Sequence, residues 1–226
     1  MQNKLILFDI DETLIDAGRA GTRALNNAFA ELFGIEDAFK NIKMAGRTDI
    51  QIMKEALSLY GLSDGNGRVN DVINQYLSNL RTEIENPWKK VKPGVFEMLD
   101  DLIGESIPLG LLTGNLEAGA NIKLTPFGLQ KYFPAGAFGS DDEDRDKLLP
   151  IAVRKFSELG VNASPERCIV IGDTPRDVQC AKVHNAFCIA TATGPYSKEA
   201  LADAGADLVV ETLEEKEACL NFIYNL

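Results

Sequence analysis

The stretch LILFDIDETL, residues Leu5–Leu14, joins an apolar run to three acidic residues that lie within four positions of one another. The run Leu5–Phe8 has the length and composition of a short buried strand, and Asp9 and Asp11 follow at its carboxyl end. Because alternate residues of an extended chain face the same side, both carboxylates can reach one crevice. Like charges repel, so this spacing favours a site in which a cation, most simply a metal ion, lies between the carboxylates.

The composition is that of a globular protein. The chain has 226 residues, 45% of them hydrophobic, which is enough for one large core and a modest second lobe. Its 23 basic and 34 acidic residues give a net charge of −11, which disfavours nucleic acids and membranes as partners. Apolar runs all fall short of the roughly 20 residues of a membrane span, and the first run is too short for a signal peptide, so a cytoplasmic location is expected.

Five further apolar runs have the length of strands and alternate with helical patterns. They are Ile107–Leu112, Ala135–Phe138, Cys168–Ile171, Phe187–Ala190 and Leu208–Val210. Strands that alternate with helices predict a parallel sheet covered by helices on both faces. The expected fold class is therefore α/β, with a doubly wound parallel sheet.

One interval breaks this alternation. The first strand and the strand at Ile107 are separated by far more chain than one crossover helix requires. Three apolar stripes at helical spacing lie in this interval, around Phe29, Leu57 and Tyr76. We therefore expect a small helical cap over residues 17–88, inserted into an α/β core that comprises residues 1–16 and 89–226.

Two other predicted strands also end in polar residues. LGLLTGN, residues 109–115, runs into Thr113, Gly114 and Asn115, whose hydroxyl and backbone amides can cradle a phosphoryl group. CIVIGDTPRD, residues 168–177, runs into Asp173, with Asp177 one helical turn further on. Open α/β sheets bind ligands at the carboxyl ends of their strands, so these residues are expected to meet Asp9 and Asp11 at one edge.

A charged run follows the third predicted strand of the core. In SDDEDRDKLLP, residues 140–150, Arg145 and Lys147 lead into a helix. Taken alone, the run is equally typical of a solvated surface. Taken with the other strand ends, it adds a cation to three acids and a phosphate cradle, and this combination points to phosphoryl chemistry.

In this combination the residues resemble the haloacid dehalogenase-like hydrolases, in the branch with a helical cap after the first strand. Asp9–Thr13 matches the Asp-x-Asp-x-Thr motif of the family, Leu112–Asn115 its Thr/Ser motif, and Gly172–Asp177 its acidic metal motif. The resemblance covers essentially the whole chain and is strongest to members of the phosphoglycolate phosphatase type. It implies a Rossmann-like core with an inserted cap.

The sequence departs from the family pattern in two places. Glu12 stands where glycine is frequent, and the third motif lacks the usual Lys-Pro pair. Arg145 is therefore assigned the cation role of that motif, and Lys147 remains the alternative. The loop before the second cap helix resembles the substrate-specificity loop of the family, so Arg47 and Thr48 are expected to contact the leaving group.

The resemblance also implies a cofactor. Mg²⁺ would be held by the Asp9 carboxylate, the Asp11 backbone carbonyl and Asp173, with Asp177 oriented towards the ion through water. Oxygen ligands alone suit this hard cation.

The implied activity is hydrolysis of a phosphomonoester, a small phosphorylated metabolite such as phosphoglycolate or a sugar phosphate. Asp9 would attack phosphorus to form an aspartyl phosphate, and Asp11 would act first as general acid and then as general base. Thr113, the amides that follow it and Arg145 would stabilise charge on the phosphoryl oxygens.

Two alternatives remain at this stage. A sugar-phosphate mutase of the beta-phosphoglucomutase type shares all of these motifs. A receiver-like signalling module also phosphorylates an aspartate in a parallel sheet, but it needs neither an inserted lobe nor a general acid beside the nucleophile. The physiological substrate and the oligomeric state stay open.

Overall fold

The computed structural model describes residues 4–62 and 67–226. The strands are β1 (Leu5–Phe8), β2 (Ile15–Asp16), β3 (Lys90–Val91), β4 (Leu109–Thr113), β5 (Gly136–Phe138), β6 (Cys168–Gly172), β7 (Phe187–Thr191) and β8 (Leu208–Val210). The α-helices are α1 (Ala20–Phe33), α2 (Asp49–Leu59), α3 (Arg68–Glu83), α4 (Val95–Gly104), α5 (Glu117–Leu124), α6 (Leu148–Glu158), α7 (Pro175–Lys182), α8 (Lys198–Asp203) and α9 (Lys216–Tyr224). Within these described residues, no helix is both long enough and apolar enough to cross a membrane.

Six strands form one parallel sheet in the order β5-β4-β1-β6-β7-β8. The predicted α/β class and all six predicted core strands are confirmed. The predicted strand at Ile107 begins two residues later, at Leu109, because Pro108 has no N–H to donate; only its carbonyl pairs, accepting from Ile6 N at 3.0 Å.

The first strand occupies the centre of the sheet. β1 pairs with β4 on one side and with β6 on the other, and the chain crosses between the two halves of the sheet there. Such a switch point leaves a crevice at the carboxyl ends of the central strands. The residues that follow β1, β4 and β6 therefore meet, although they lie far apart in sequence.

Alternate residues of β1 face opposite sides of the sheet. Leu5 and Leu7 belong to one hydrophobic cluster, and Ile6 and Phe8 to another. The second cluster continues into the helices that follow β2, where it includes the buried Tyr76 of α3. The inserted helices thus share a core with one face of the sheet.

Helices α1, α2 and α3 fill the long interval between β2 and β3. Phe29 of α1 packs edge to face against Phe39, with 4.8 Å between ring centroids. We propose residues 17–88 as a cap on the core of residues 1–16 and 89–226, because these three helices pack together above the carboxyl edge of the sheet.

The two connections between core and cap lie side by side. β2 and β3 pair antiparallel in a two-residue ribbon that the sequence pattern did not predict. Just beyond it, the Asn86 side-chain amide donates to the Ala17 carbonyl at 3.0 Å. Strands this short carry no readable alternation, which is why only their tertiary pairing reveals them.

Candidate active site

Three buried carboxylates meet at the carboxyl ends of β1 and β6. Asp9 directly follows β1, and its backbone N–H donates to the Ile171 carbonyl of β6 at 2.9 Å. Asp173 follows β6, and Asp177 lies in the first turn of α7. Oxygen atoms of Asp9, Asp173 and Asp177 lie within 4.8 Å of one another.

Burial and mutual repulsion raise the pKa values of two of these acids. Burial raises the pKa of Asp9 to about 6; the charges of Asp177 and Asp11 add to the effect, and Arg145 opposes it. Burial, together with repulsion from Asp177 and Asp9, raises the pKa of Asp173 to about 9. When ionised, the three carboxylates carry more negative charge than Arg145 neutralises, and their oxygen donors fit a hard divalent cation.

Arg145 is the cation at the centre of this group. Its side chain is only 5% exposed; Nη2 donates to Asp9 Oδ1 at 3.1 Å and also to Asp177. Burial alone would lower the pKa of Arg145, but the charges of Asp177 and Asp9 raise it above its usual value. Arg145 Nε is buried without a hydrogen-bond partner in the described part of the chain. An unused buried donor beside Asp9 fits an anionic oxygen of a ligand.

Lys147 lies elsewhere. Its side chain is 62% exposed and pairs with Asp142 at 3.3 Å. Both residues belong to the 3₁₀ turn Arg145–Lys147 that precedes α6, but that turn directs only Arg145 into the site.

Both oxygens of Asp177 are engaged. One accepts from Arg145, and the other accepts from the backbone N–H of Thr174 at 3.0 Å and from its hydroxyl at 2.7 Å. These contacts close a capping box at the start of α7. Asp177 thereby fixes the position of Arg145 within the acidic group.

A second polar group surrounds Asp11. The Asn115 amide donates to Asp11 Oδ2 at 2.8 Å and to Thr113 Oγ1 at 2.9 Å. Thr113 is the buried last residue of β4. The motif after β4 is therefore joined directly to the second acid of the motif after β1.

Two further residues lie beside Asp11 that the sequence motifs did not predict, Lys123 and Asp49. Lys123 of α5 contacts both oxygens of Asp11, at 2.9 and 2.6 Å. Asp49 is the first residue of α2, and burial raises its pKa to about 6, although the Lys123 charge opposes the shift. One signal was present for Lys123: it lies three residues after the buried Ala120 and next to Leu124, on the apolar face of its helix.

Glu12 occupies a strained backbone position. Its φ is 61°, in the left-handed region that favours glycine, which accounts for the family preference that this sequence breaks. Its carboxylate pairs with Lys92, and its carbonyl accepts from the Thr193 hydroxyl at 2.6 Å. These contacts hold the turn that links Asp11 to Thr13.

The loop before α2 packs directly onto the end of β4. The Asp49 N–H donates to the Gly114 carbonyl at 2.8 Å, and the buried Thr48 hydroxyl donates to the Glu143 carbonyl at 2.9 Å. A Cβ atom on Gly114 would lie 2.1 Å from the Arg47 carbonyl oxygen. Only glycine allows the two backbones to approach this closely.

The Arg47 side chain is held by its own loop and helix. Its guanidinium donates to Glu55 at 2.5 Å and to the Lys43 carbonyl at 3.1 Å. The Arg47 backbone therefore contacts Gly114 at the end of β4, while its guanidinium charge is paired with Glu55 of α2. Contact of Arg47 and Thr48 with a leaving group stays a prediction.

A cavity of about 260 Å³ lies between the sheet edge and the inserted helices. Its core side includes Asp9, Asp11, Thr113 and Arg145, and its cap side includes Arg19 and Tyr76. Carboxylate, hydroxyl and cationic groups thus line one partly open cavity, in which the buried Asp9 carboxylate is shielded from bulk water.

Comparisons with known proteins agree with this geometry. The sequence profile of the haloacid dehalogenase-like hydrolases matches residues 6–191. A phosphoglycolate phosphatase of Rhodospirillum rubrum is 28% identical over 214 residues, which cover 90% of this chain and 85% of that protein. Two solved structures share the fold. A hydrolase of Pseudomonas syringae has a TM-score of 0.74 at 22% identity, covering 98% of this chain and 99% of that one. CbbY of Rhodobacter sphaeroides in complex with phosphate has a TM-score of 0.74 at 18% identity, covering 95% and 96%.

The raised pKa values of Asp9 and Asp173, to about 6 and about 9, predict how stability depends on pH and metal. In metal-free protein these acids keep protons that the unfolded chain has lost, so their contribution to the free energy of unfolding is complete below about pH 4 and is lost as pH rises through about 6 and then about 9. Mg²⁺ should raise the melting temperature more near about pH 8 than near about pH 5, because protons compete with it. Melting curves with Mg²⁺ and with chelator measure this, and Asp173→Asn should abolish the Mg²⁺ effect. A Mg²⁺ effect independent of pH would contradict the assignment.

The close approach at Gly114 predicts that Gly114→Ala displaces the cap loop. The added methyl group would meet the Arg47 carbonyl, and the misplaced cap should lower kcat/KM on the order of 100-fold. Gly104→Ala is the matched control, because a Cβ atom there meets nothing within 4 Å. Phosphate release and melting temperature are measured for both variants. Full activity in Gly114→Ala would show that the loop is free to move away without loss.

Proposed function

The chain belongs to the haloacid dehalogenase-like hydrolase family and is a phosphatase, and we propose that it hydrolyses a small phosphomonoester through an aspartyl phosphate, with Mg²⁺ as cofactor. The observation that carries this proposal is the buried pair of Asp9 and Arg145 in the cavity beneath the inserted helices. A carboxylate beside a cation with one unused donor supports the roles of nucleophile and phosphate-binding group for these two residues.

In the first step Asp9 attacks phosphorus, and the bond from phosphorus to the leaving oxygen breaks. The leaving oxygen takes a proton from Asp11, which lies two residues further along the same strand end. Arg145 and the Thr113 hydroxyl bind the phosphoryl oxygens, where charge accumulates as the transfer proceeds. Because Asp9 is buried in the cavity, its carboxylate rather than bulk water receives the group.

In the second step water attacks phosphorus and releases phosphate from Asp9. Asp11, now a carboxylate, removes the proton of the attacking water, so that both acids return to their initial states. Because one displacement is split into two steps, the protein can use the same groups to stabilise both transition states.

The metal site is proposed on the acidic group. Asp9, Asp173 and the carbonyl of Asp11 would hold Mg²⁺, which supplies positive charge to the phosphoryl oxygens. Asp177 would act on the ion through water, because its own oxygens bind Arg145 and Thr174.

The size of the cavity favours small substrates. Its volume of about 260 Å³ lies below the usual range for ligand pockets, roughly 300 to 1,000 Å³. The Rhodospirillum rubrum relative is a phosphoglycolate phosphatase, so phosphoglycolate is the first substrate to test. Arg19 at the cap side of the cavity adds positive charge that suits an acidic leaving group, and Arg47 also lines the cavity. Contact of the leaving group with Arg47 and Thr48 is part of the proposal, although Thr48 itself is buried and does not line the cavity.

A sugar-phosphate mutase is the second candidate, since a buried carboxylate paired with a cation beneath the inserted helices would suit it equally. Phosphorus NMR separates the two: a phosphatase releases inorganic phosphate, whereas a mutase converts one sugar phosphate into another. A receiver-like module is disfavoured, because it would need neither the inserted helices nor Asp11.

The proposal is tested by Asp9→Asn. An amide cannot form the acyl phosphate, so phosphate release should fall by at least about 10⁴-fold while the melting temperature shows an intact fold. The same substitution at the exposed Asp37, whose φ of 49° asparagine tolerates, is the control. Mass spectrometry of trapped wild-type enzyme should place the phosphoryl group on Asp9. An adduct on any other residue would refute the mechanism.

Arg145→Met and Lys147→Met form a matched pair. The first removes the buried donor and should reduce kcat/KM by about 10² to 10³, the usual effect of losing a group that stabilises transition-state charge. The second removes a lysine whose side chain is 62% exposed and should change kcat/KM less than about twofold. Melting temperatures are compared because Arg145→Met also leaves Asp9 and Asp177 facing each other. Equal effects of the two substitutions would move the phosphate-binding cation elsewhere.

A further inference from the structure

Lys123 is a buried lysine that the mechanism above does not use. It is 5% exposed, and its ammonium donates to Asp11 at 2.9 and 2.6 Å and to Asn115 Oδ1 at 2.6 Å. All three contacts are directed at the general acid or at the amide that also binds it. Lys123 therefore belongs to the surroundings of Asp11 rather than to the acidic group around Arg145.

Burying an ammonium group is unfavourable unless it is paired. Burial would lower the pKa of Lys123, but the charges of Asp11 and Asp49 raise it above its usual value. An apolar side chain would fit the same face of α5, beside Ala120 and Leu124, without this requirement. The position thus carries a charged group for a reason other than packing.

The contacts of Lys123 limit where the Asp11 carboxylate can lie. The Asp11 side chain is 40% exposed, so without partners it would have other rotamers open to it. Lys123 binds both of its oxygens, and the Asn115 amide binds one of them at 2.8 Å. Together they hold the carboxylate beside the nucleophile, at the mouth of the cavity.

Asp49 connects this arrangement to the cap. It is the first residue of α2, yet its carboxylate accepts from the backbone N–H of Leu116 at 3.0 Å, at the start of the core helix α5. The side chain of Leu116 makes no hydrogen bond to the first turn of α5. A residue of the inserted helices therefore supplies the side-chain contact at the start of the helix that carries Lys123. The Asp49 charge also faces Lys123.

We propose that Lys123 is a positioning residue that fixes Asp11 for proton transfer, and that Asp49 makes this arrangement depend on the seated cap. The proposal rests on the proposed phosphatase function. With the cap seated, Asp49 holds α5 and faces Lys123, and Lys123 holds Asp11. When the cap moves away, Lys123 loses the nearby charge of Asp49 and Asp11 loses its fixed position.

The test uses leaving groups of different quality. Alkyl phosphates such as phosphoglycolate and glycerol phosphate need a proton on the leaving oxygen, whereas p-nitrophenyl phosphate does not. Because kcat/KM reports the first transfer step, Lys123→Met should lower it about 100-fold for both alkyl substrates and less than about threefold for p-nitrophenyl phosphate. Lys123→Arg should restore part of the loss. Lys216→Met removes a surface lysine paired with Asp101 at 2.7 Å and should change neither value.

Asp49→Asn keeps an acceptor for the Leu116 N–H but removes the charge. It should lower the ratio of kcat/KM for the alkyl phosphates to kcat/KM for p-nitrophenyl phosphate by about tenfold, in the same direction as Lys123→Met. The double variant should lose less kcat/KM than the product of the two single losses, because both residues act through Asp11.

A parallel fall for all substrates in Lys123→Met would overturn the proposal and make Lys123 structural. A fall for phosphoglycolate alone would overturn it too, and would mean that Lys123 binds the substrate. An unchanged ratio in Asp49→Asn would remove the cap from the proposal. Wild-type enzyme that hydrolyses none of the three substrates would instead defeat the proposed function.

Discussion

The burial of Arg145 between Asp9 and Asp177 is the interaction on which the rest of the site depends. Three carboxylates that lie within 4.8 Å of one another repel, and one buried guanidinium cannot neutralise them all. Because Arg145 pairs with Asp9 after β1 and with Asp177 in the first turn of α7, these ion pairs also link the central strand to the helix that follows β6. Burial and this repulsion raise the pKa values of Asp9 and Asp173, and a divalent cation would relieve the repulsion.

The sheet topology makes this balance possible. Because β1 lies between β4 and β6, three segments far apart in sequence end at one edge. The same edge supports two separate hydrogen-bond networks, one around Arg145 and one around Lys123. As a result Asp9, the proposed nucleophile, and Asp11, the proposed proton donor, have different partners although only one residue separates them. Groups that must play different roles need different surroundings.

The inserted helices take part in both networks. The Arg47 carbonyl meets Gly114 so closely that no side chain fits, and Asp49 caps the core helix that carries Lys123. The inserted helices are therefore joined to the end of β4 by a backbone contact and to the start of α5 by the Asp49 carboxylate. The proposed coupling between seating of the cap and assembly of the site depends on these two contacts.

The sequence by itself determined the α/β class, the six core strands, the insertion and the acidic residues at the strand ends, because each has a local signature in apolar period, turn residues or spacing. It left Arg145 and Lys147 as alternatives, since two residues in one short turn have no local difference that selects the buried one. It missed Lys123, which meets Asp11 across a separation of 112 residues, and it could not show that Arg47 pairs with Glu55. The apolar period of a segment determines which of its faces is buried. Only the packing of segments against one another determines which charged groups meet, because the interaction of two charges depends on their distance in space and not on their separation along the chain.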